Sequence, residues 1–170
     1  MSRAFVKEND SADGDALPER QVPAHPNYVT ARGLAQLQSR VHDLVTCCDV
    51  LRPVAVDDTG ARHNLHALER DLRYFRAQLE RAELVATAPQ HDTVHFGAHV
   101  TLCDEAGAQQ QVHLVGDDEA DVAAGDISWA SPLARALIGA RVGDDVTWRR
   151  PAGAAQIEIV AVRYGGLAQT

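Results

Sequence analysis

Two apolar seams constrain this chain more than any other feature. After Thr30, a favourable N-cap, apolar residues fall at Leu34, Leu37, Val41, Leu44, Cys48 and Leu51, in alternating steps of 3 and 4. Leu65, Leu68, Leu72, Phe75, Leu79 and Ala82 repeat the same steps. That alternation is the narrow stripe of a coiled coil rather than the broad face of a helix lying on a sheet. Between the seams Asp57, Asp58 and Gly60 mark a turn, and Pro53 predicts that the first helix stops at or before Arg52. Two matched seams joined by a short polar loop specify an antiparallel helical hairpin. Each arm is about 20 residues, hence roughly 30 Å long at 1.5 Å per residue. A hairpin this thin has no core beyond its seam, so it projects.

The flanks read differently. Residues 1–26 hold few large apolar side chains and several turn formers (Gly14, Pro18, Pro23, Pro26), the composition of a disordered arm. Its acids, Glu8, Asp10, Asp13, Asp15 and Glu19, read as a solvated tail rather than as a nucleic-acid mimic. Beyond Pro89 the apolar period changes to two. Val100 and Leu102, then Val112 and Leu114, are bridged by Asp104 to Gly107 as a β-hairpin. Ile127 to Ala130 reads as a short strand, and Pro132 to Ile138 as a short helix capped by Ser131 with Pro132 at its first position. Val146 to Trp148 and Gln156 to Tyr164 complete an antiparallel sheet around that one helix. The expected fold class is α+β, with a disordered arm over 1–26, a coiled-coil hairpin over 27–86 and a small sheet domain over 90–165.

Charge and composition narrow the function. Acids number 24 against 16 Lys and Arg, and the formal net charge of -8 argues against a general nucleic-acid coat. Most of that charge lies from Asp92 onward, with eleven acids against five arginines, whereas Arg62 to Glu83 is balanced and rich in arginine. Two faces with different partners would carry charge this way. No apolar run approaches the ~20 residues of a membrane span, and there is no secretory signal layout at the start. Three cysteines, two of them adjacent, fit reduced cytoplasm better than a disulfide framework.

A set of ordered motifs then resembles one family. Phe96-Gly97-Ala98-His99-Val100-Thr101-Leu102, Val115-Gly116-Asp117-Asp118-Glu119-Ala120-Asp121 and Gly125-Asp126-Ile127-Ser128 are similar to the bacterial transcription elongation factors GreA and GreB. So are Ser131-Pro132-Leu133-Ala134-Arg135-Ala136-Leu137-Ile138-Gly139 and Val142-Gly143-Asp144-Asp145-Val146. Tyr28 to Leu34 resembles the opening of the family's first coil helix, and Arg73 to Glu83 its return helix. The resemblance implies an FKBP-like C-terminal domain that seats on RNA polymerase. It also implies a coiled coil that reaches down the secondary channel, where acidic tip residues help the polymerase and its Mg²⁺ cleave backtracked RNA. Nothing in the chain assembles a nucleophile, base and oxyanion site, so no catalytic site of its own is expected; the expectation is a monomer with no intrinsic cofactor, and nascent RNA as an indirect partner.

The tip departs from the family pattern. In place of its Glu-Asn-Ala-(Glu/Asp)-Tyr run stands Val56-Asp57-Asp58-Thr59-Gly60-Ala61-Arg62-His63-Asn64-Leu65, and the arms look shorter by one or two turns, on the order of 5–10 Å. Asp57 and Asp58 are the adjacent carboxylates through which tip chemistry and a Mg²⁺ contact could run; the alternative is a solubilising turn. Arg70, Arg73 and Arg76 step along one flank of the second helix behind Arg62. They either face RNA or the channel wall or form a solvated face with Glu69, Asp71 and Glu80. Candidates for polymerase binding are Asp118, Glu119, Asp121, Ser131, Pro132 and Arg135, with Trp129 and Trp148 either in the core or anchoring an interface. Cys47, Cys48, Asp49, His63 and His66 gather near the tip, but Cys48 occupies a seam position and reads as buried rather than as a zinc ligand.

Three other functions stay open. A shorter, Rnk-type relative would occupy the channel without cleavage and compete with Gre factors. An FKBP-like prolyl isomerase would need an apolar, aromatic-lined pocket, and Phe, Trp and Tyr total only eight here. A plain interaction hairpin would have no link to polymerase.

Overall fold

The computed structural model describes residues 17–86 and 92–165. A short strand β1 (Asn27–Val29) leads into α1 (Ala31–Val54), which turns back as α2 (Thr59–Glu80) and ends in β2 (Ala82–Leu84). The seams meet as their spacing predicts. Leu44, Cys48, Ala55, Ala61, Leu65 and Leu72 form one buried cluster, with Val41, Leu51, Leu68 and Phe75 packed partly against it. Thr30 accepts from the Gly33 amide at α1's start, and Asp58 does the same for Gly60 and Ala61 at α2's start. At 24 and 22 residues the helices are longer than expected, about 36 and 33 Å. Pro53 lies inside α1 rather than ending it. In the last turn a proline forfeits one hydrogen bond, and the next turn is closed by Ala55 N–H to the Leu51 carbonyl (3.0 Å).

At the base, β1 and β2 run parallel, pairing Asn27 with Ala82 and Val29 with Leu84, so both ends of the hairpin are tied together. Buried Asn27 donates to the Gln78 carbonyl at 2.8 Å, satisfying a polar group that would otherwise destabilise the joint.

The second unit is a five-stranded sheet ordered β5-β4-β3-β7-β6. Its strands are β3 (His99–Asp104), β4 (Gln109–Val115), β5 (Asp126–Ser128), β6 (Asp145–Arg150) and β7 (Gly153–Arg163), with α3 (Pro132–Leu137) between β5 and β6. The β3–β4 turn forms because Asp104 Oδ1 accepts from Ala106 and Ala108, and Gly107 takes φ +81°. Antiparallel pairing holds everywhere except at β5, which lies parallel to β4. The chain reaches it by a crossover through two 3₁₀ turns, Asp117–Glu119 and Val122–Ala124. Val94, Val100, Leu102, Leu114, Leu137 and Ile159 lead the core of this unit, and Trp148 packs at its margin. The class is α+β. No helix among the described residues is long and apolar enough to cross a membrane.

One expectation is corrected. Residues 1–16 lie outside the described residues, but 17–26 are not a free tail: they lie against α2 and the joint. Arg20 stacks on Tyr74, Glu19 pairs with Arg73, and Arg81 donates to the Pro23 and His25 carbonyls. Polar and cation–π contacts hold this segment, so a search for apolar residues overlooks it.

Candidate functional site

At the tip the two aspartates differ. Asp58 Oδ1 accepts from the Gly60 (2.7 Å) and Ala61 (3.3 Å) amides and starts α2. Asp57 is exposed, and no described residue holds its carboxylate. Arg62, expected to face RNA or the channel, reaches back to the Ala55 and Val56 carbonyls (3.2 and 2.9 Å) and fastens the end of α1. Asp58 caps α2 through Oδ1 alone, so the two adjacent carboxylates at the apex differ in that one also builds the turn. Among the described residues no group of three or more His, Cys, Asp or Glu is placed to hold a metal. Cys48 is buried in the seam and Cys47 is exposed. Sequence reasoning overlooked a different feature here: Val50, Val54 and Val56 are 69%, 52% and 68% exposed. Their positions off the seam were the available signal.

Along α2 the arginines separate. Arg70 bonds the neighbouring Asp71 (3.0 Å), Arg73 takes Glu19 from the N-terminal segment, and Arg76 is exposed. Hydrogen bonding to Glu19 raises the Arg73 pKa further above its ordinary value.

The joint between hairpin and sheet gathers side-chain hydrogen bonds from several elements. Three consecutive acids each grip a different element. Asp117 accepts from the Ser128 hydroxyl and lies 3.2 Å from His25 Nε2. Asp118 accepts from the Tyr74 hydroxyl (2.9 Å) and Gln78 Nε2 (2.8 Å), both on α2. Glu119 accepts from the Thr30 hydroxyl (2.6 Å) and Arg32 Nε (2.8 Å) at the start of α1. The Arg32 fork also reaches Asp126 (2.6 Å), which holds His113 (3.0 Å), and His113 stacks on His99 at 3.8 Å. Arg32, His99, His113 and Asp126 line a cleft of about 550 Å³ between hairpin and sheet.

This arrangement needs two glycines. A Cβ on Gly33 would press into the Glu119 carboxylate, and one on Gly116 would sit 2.6 Å from the Tyr28 carbonyl. The environment shifts several pKa values. Burial, then the charge and hydrogen bond of Asp118, push Tyr74 up to about 12. Burial works to raise Asp126, but bonds from Arg32 and His113 prevail and hold it below the usual carboxylate range. Hydrogen bonds from Glu119 and Asp126 raise Arg32.

Asp118 and Glu119 were expected to meet a polymerase; their carboxylates instead face the chain's own hairpin, and Glu119 is buried. Of the other candidates, Asp121 caps the second 3₁₀ turn and Ser131 caps α3, whereas Pro132 and Arg135 are exposed. Trp129 belongs to the joint, with its ring 4.9 Å from Tyr28 and 5.3 Å from His25.

The family described as "Transcription elongation factor, GreA/GreB, C-term" matches residues 89–164. Transcription elongation factor GreB of Neisseria meningitidis serogroup B is 35% identical over 156 residues, covering 81% of this chain and 94% of that protein. The chain belongs to the GreA/GreB family. GreA of Thioalkalivibrio sulfidiphilus is 44% identical over 108 residues, which span 62% of this chain and 68% of that one. A solved GreA/GreB factor from Nitrosomonas europaea aligns with 82% of this chain and 99% of its own, at 23% identity and a TM-score of 0.40. These relatives, GreB of Neisseria meningitidis and GreA of Thioalkalivibrio sulfidiphilus, are transcription elongation factors, and the order of units here, a helical hairpin then a sheet domain, is the one the motifs imply.

Proposed function

We propose that this chain is a polymerase-binding regulator of transcription elongation. It seats on RNA polymerase through its C-terminal domain and sends the hairpin into the secondary channel toward the active site. The observation that supports this reading is the length of the arm and the polar contacts at its base: α1 and α2 run 24 and 22 residues from a joint held by Asp118 and Glu119. With Asp58 engaged as a helix cap, and Val50, Val54 and Val56 exposed beside it, the tip is built to occupy the channel and not to hold a metal. On this reading the chain competes with cleavage-competent Gre factors and has no catalytic site of its own. Exposed Pro132 and Arg135 at the start of α3 are the polymerase contacts we assign, with Asp121 and the Ser131 cap beside them.

The test is direct binding of the fluorescently labelled chain to core RNA polymerase, with unlabelled GreB as competitor. Saturable binding that GreB displaces, and that Pro132→Ala/Arg135→Ala weakens, supports the assignment. Binding that GreB leaves untouched contradicts it. A second reading, in which the tip assists cleavage, rests on the free carboxylate of Asp57 and requires that activity disappear in Asp57→Ala.

A further inference from the structure

Along β3 and β4 every second side chain enters the core: Val100 and Leu102, then Val112 and Leu114. His99 and His113 alternate with them and stand on the sheet's other face, where they line the cleft below the hairpin. They are direct partners across the antiparallel pair, and their rings stack with centroids 3.8 Å apart and planes 11° from parallel. The packing of the fold does not call for two imidazoles here, because neither belongs to a buried cluster.

Their surroundings prepare them as ligands. His113 Nδ1 lies 3.0 Å from Asp126 Oδ1. An ionised carboxylate only accepts, so Nδ1 carries the proton and Nε2 of the neutral ring keeps its lone pair. Asp126 is fixed in turn by the Arg32 fork (2.6 Å), whose other arm is held on buried Glu119 (2.8 Å). A carboxylate behind the histidine, itself held by a further bond, is the outer shell that orients metal-binding imidazoles. The half-buried His99 ring stacks on His113 without a hydrogen bond from any described residue, which leaves it free to turn toward an ion held there. Two imidazole nitrogens, each about 2.0–2.1 Å from one ion, lie up to about 4.2 Å apart, enough to span the two rings. The cleft of about 550 Å³ has room for the waters that would complete the coordination. Glu119 and Asp126 offset the charge of Arg32, and Arg163, beside His99 on β7, is exposed where solvent and salt screen it.

We infer that His99 and His113 form a two-histidine site for a borderline transition-metal ion of the Zn²⁺, Ni²⁺ or Cu²⁺ class. Imidazole selects these ions over Mg²⁺, which takes oxygen ligands. The site lies at the base of the hairpin, at the opposite end of α1 from the tip aspartates, and is independent of the proposed function.

Zinc titration of the full, metal-stripped chain by isothermal calorimetry, in excess Mg²⁺, tests this. Donors near the tip are removed first: a Cys47→Ser/His63→Gln/His66→Gln chain should still bind one Zn²⁺ saturably. Adding His99→Gln or His113→Gln to it should weaken binding by more than about tenfold, since even outer-shell changes weaken metal affinity about 10–100-fold. Melting gives a second reading: Zn²⁺ should raise the melting temperature of the parent chain and leave that of the His99→Gln variant where it was. His99 makes no hydrogen bond with a described residue and lies outside the core, so this variant retains the fold, which far-ultraviolet circular dichroism checks. No saturable binding in the parent chain overturns the inference, as does binding that survives both His99→Gln and His113→Gln. Polymerase is absent from the assay, so either failure leaves the channel reading standing.

Discussion

Asp57 and Asp58 are neighbours at the apex, yet one builds the turn and the other faces solvent. Asp58→Ala should lower stability by about 1 kcal/mol, the usual effect of losing an N-cap, whereas Asp57→Ala should leave it within about 0.5 kcal/mol; urea unfolding separates the two. His99 makes a second prediction. Burial, then the adjacent His113, hold its pKa below the ordinary value. The folded chain therefore prefers neutral His99, and the unfolded chain takes up the proton first, near pH 6.5. Stability from this group is complete above that pH and is lost as pH falls toward the folded pKa. Asp126, also depressed, adds a further loss only below about pH 4, where its unfolded counterpart protonates. The melting temperature should fall between about pH 7 and pH 5, and His99→Gln should flatten that decline. An unchanged slope in His99→Gln would remove the stacked histidines from the account.

The hairpin and the sheet were legible as elements because each carries its own period: steps of 3 and 4 from Leu34 to Ala82, alternation from Val100 onward. The joint between them was not. Asp117, Asp118 and Glu119 look like any acidic surface turn, and the partners of Glu119 lie 87 and 89 residues upstream, beyond the reach of a local pattern. Only Gly33 and Gly116 marked the contact, and a glycine in sequence does not say what approaches it. The segment 17–26 escaped for a related reason, since it docks through Arg20 and Arg81 rather than through buried apolar area. Gly116→Ala tests the joint directly. Its φ of -66° suits any residue, so the effect is purely the Cβ pressing on the Tyr28 carbonyl backbone, and a loss of about 1–3 kcal/mol is expected in thermal or chemical unfolding. Glu119→Gln should cost roughly 1–2 kcal/mol by uncoupling the half-exposed Arg32 from a buried acceptor. Neutral outcomes in both variants would mean that the clamp does not set how firmly the arm is held.

At the scale of the whole molecule, the parts form a lever. The C-terminal sheet carries exposed Pro132 and Arg135, the acidic turn clamps the base of the hairpin, and the arm extends about 36 Å to a tip with one free carboxylate and three exposed valines. An arm of this length is suited to reaching into a channel. The decisive measurement is transcript cleavage in a purified, backtracked elongation complex with Mg²⁺, with this chain alone and then in increasing excess over GreB. The account predicts an intact transcript with the chain alone, and GreB-dependent cleavage that falls as the chain is added. Cleavage by the chain alone that disappears in Asp57→Ala, or GreB activity that stays constant at every excess, would contradict it.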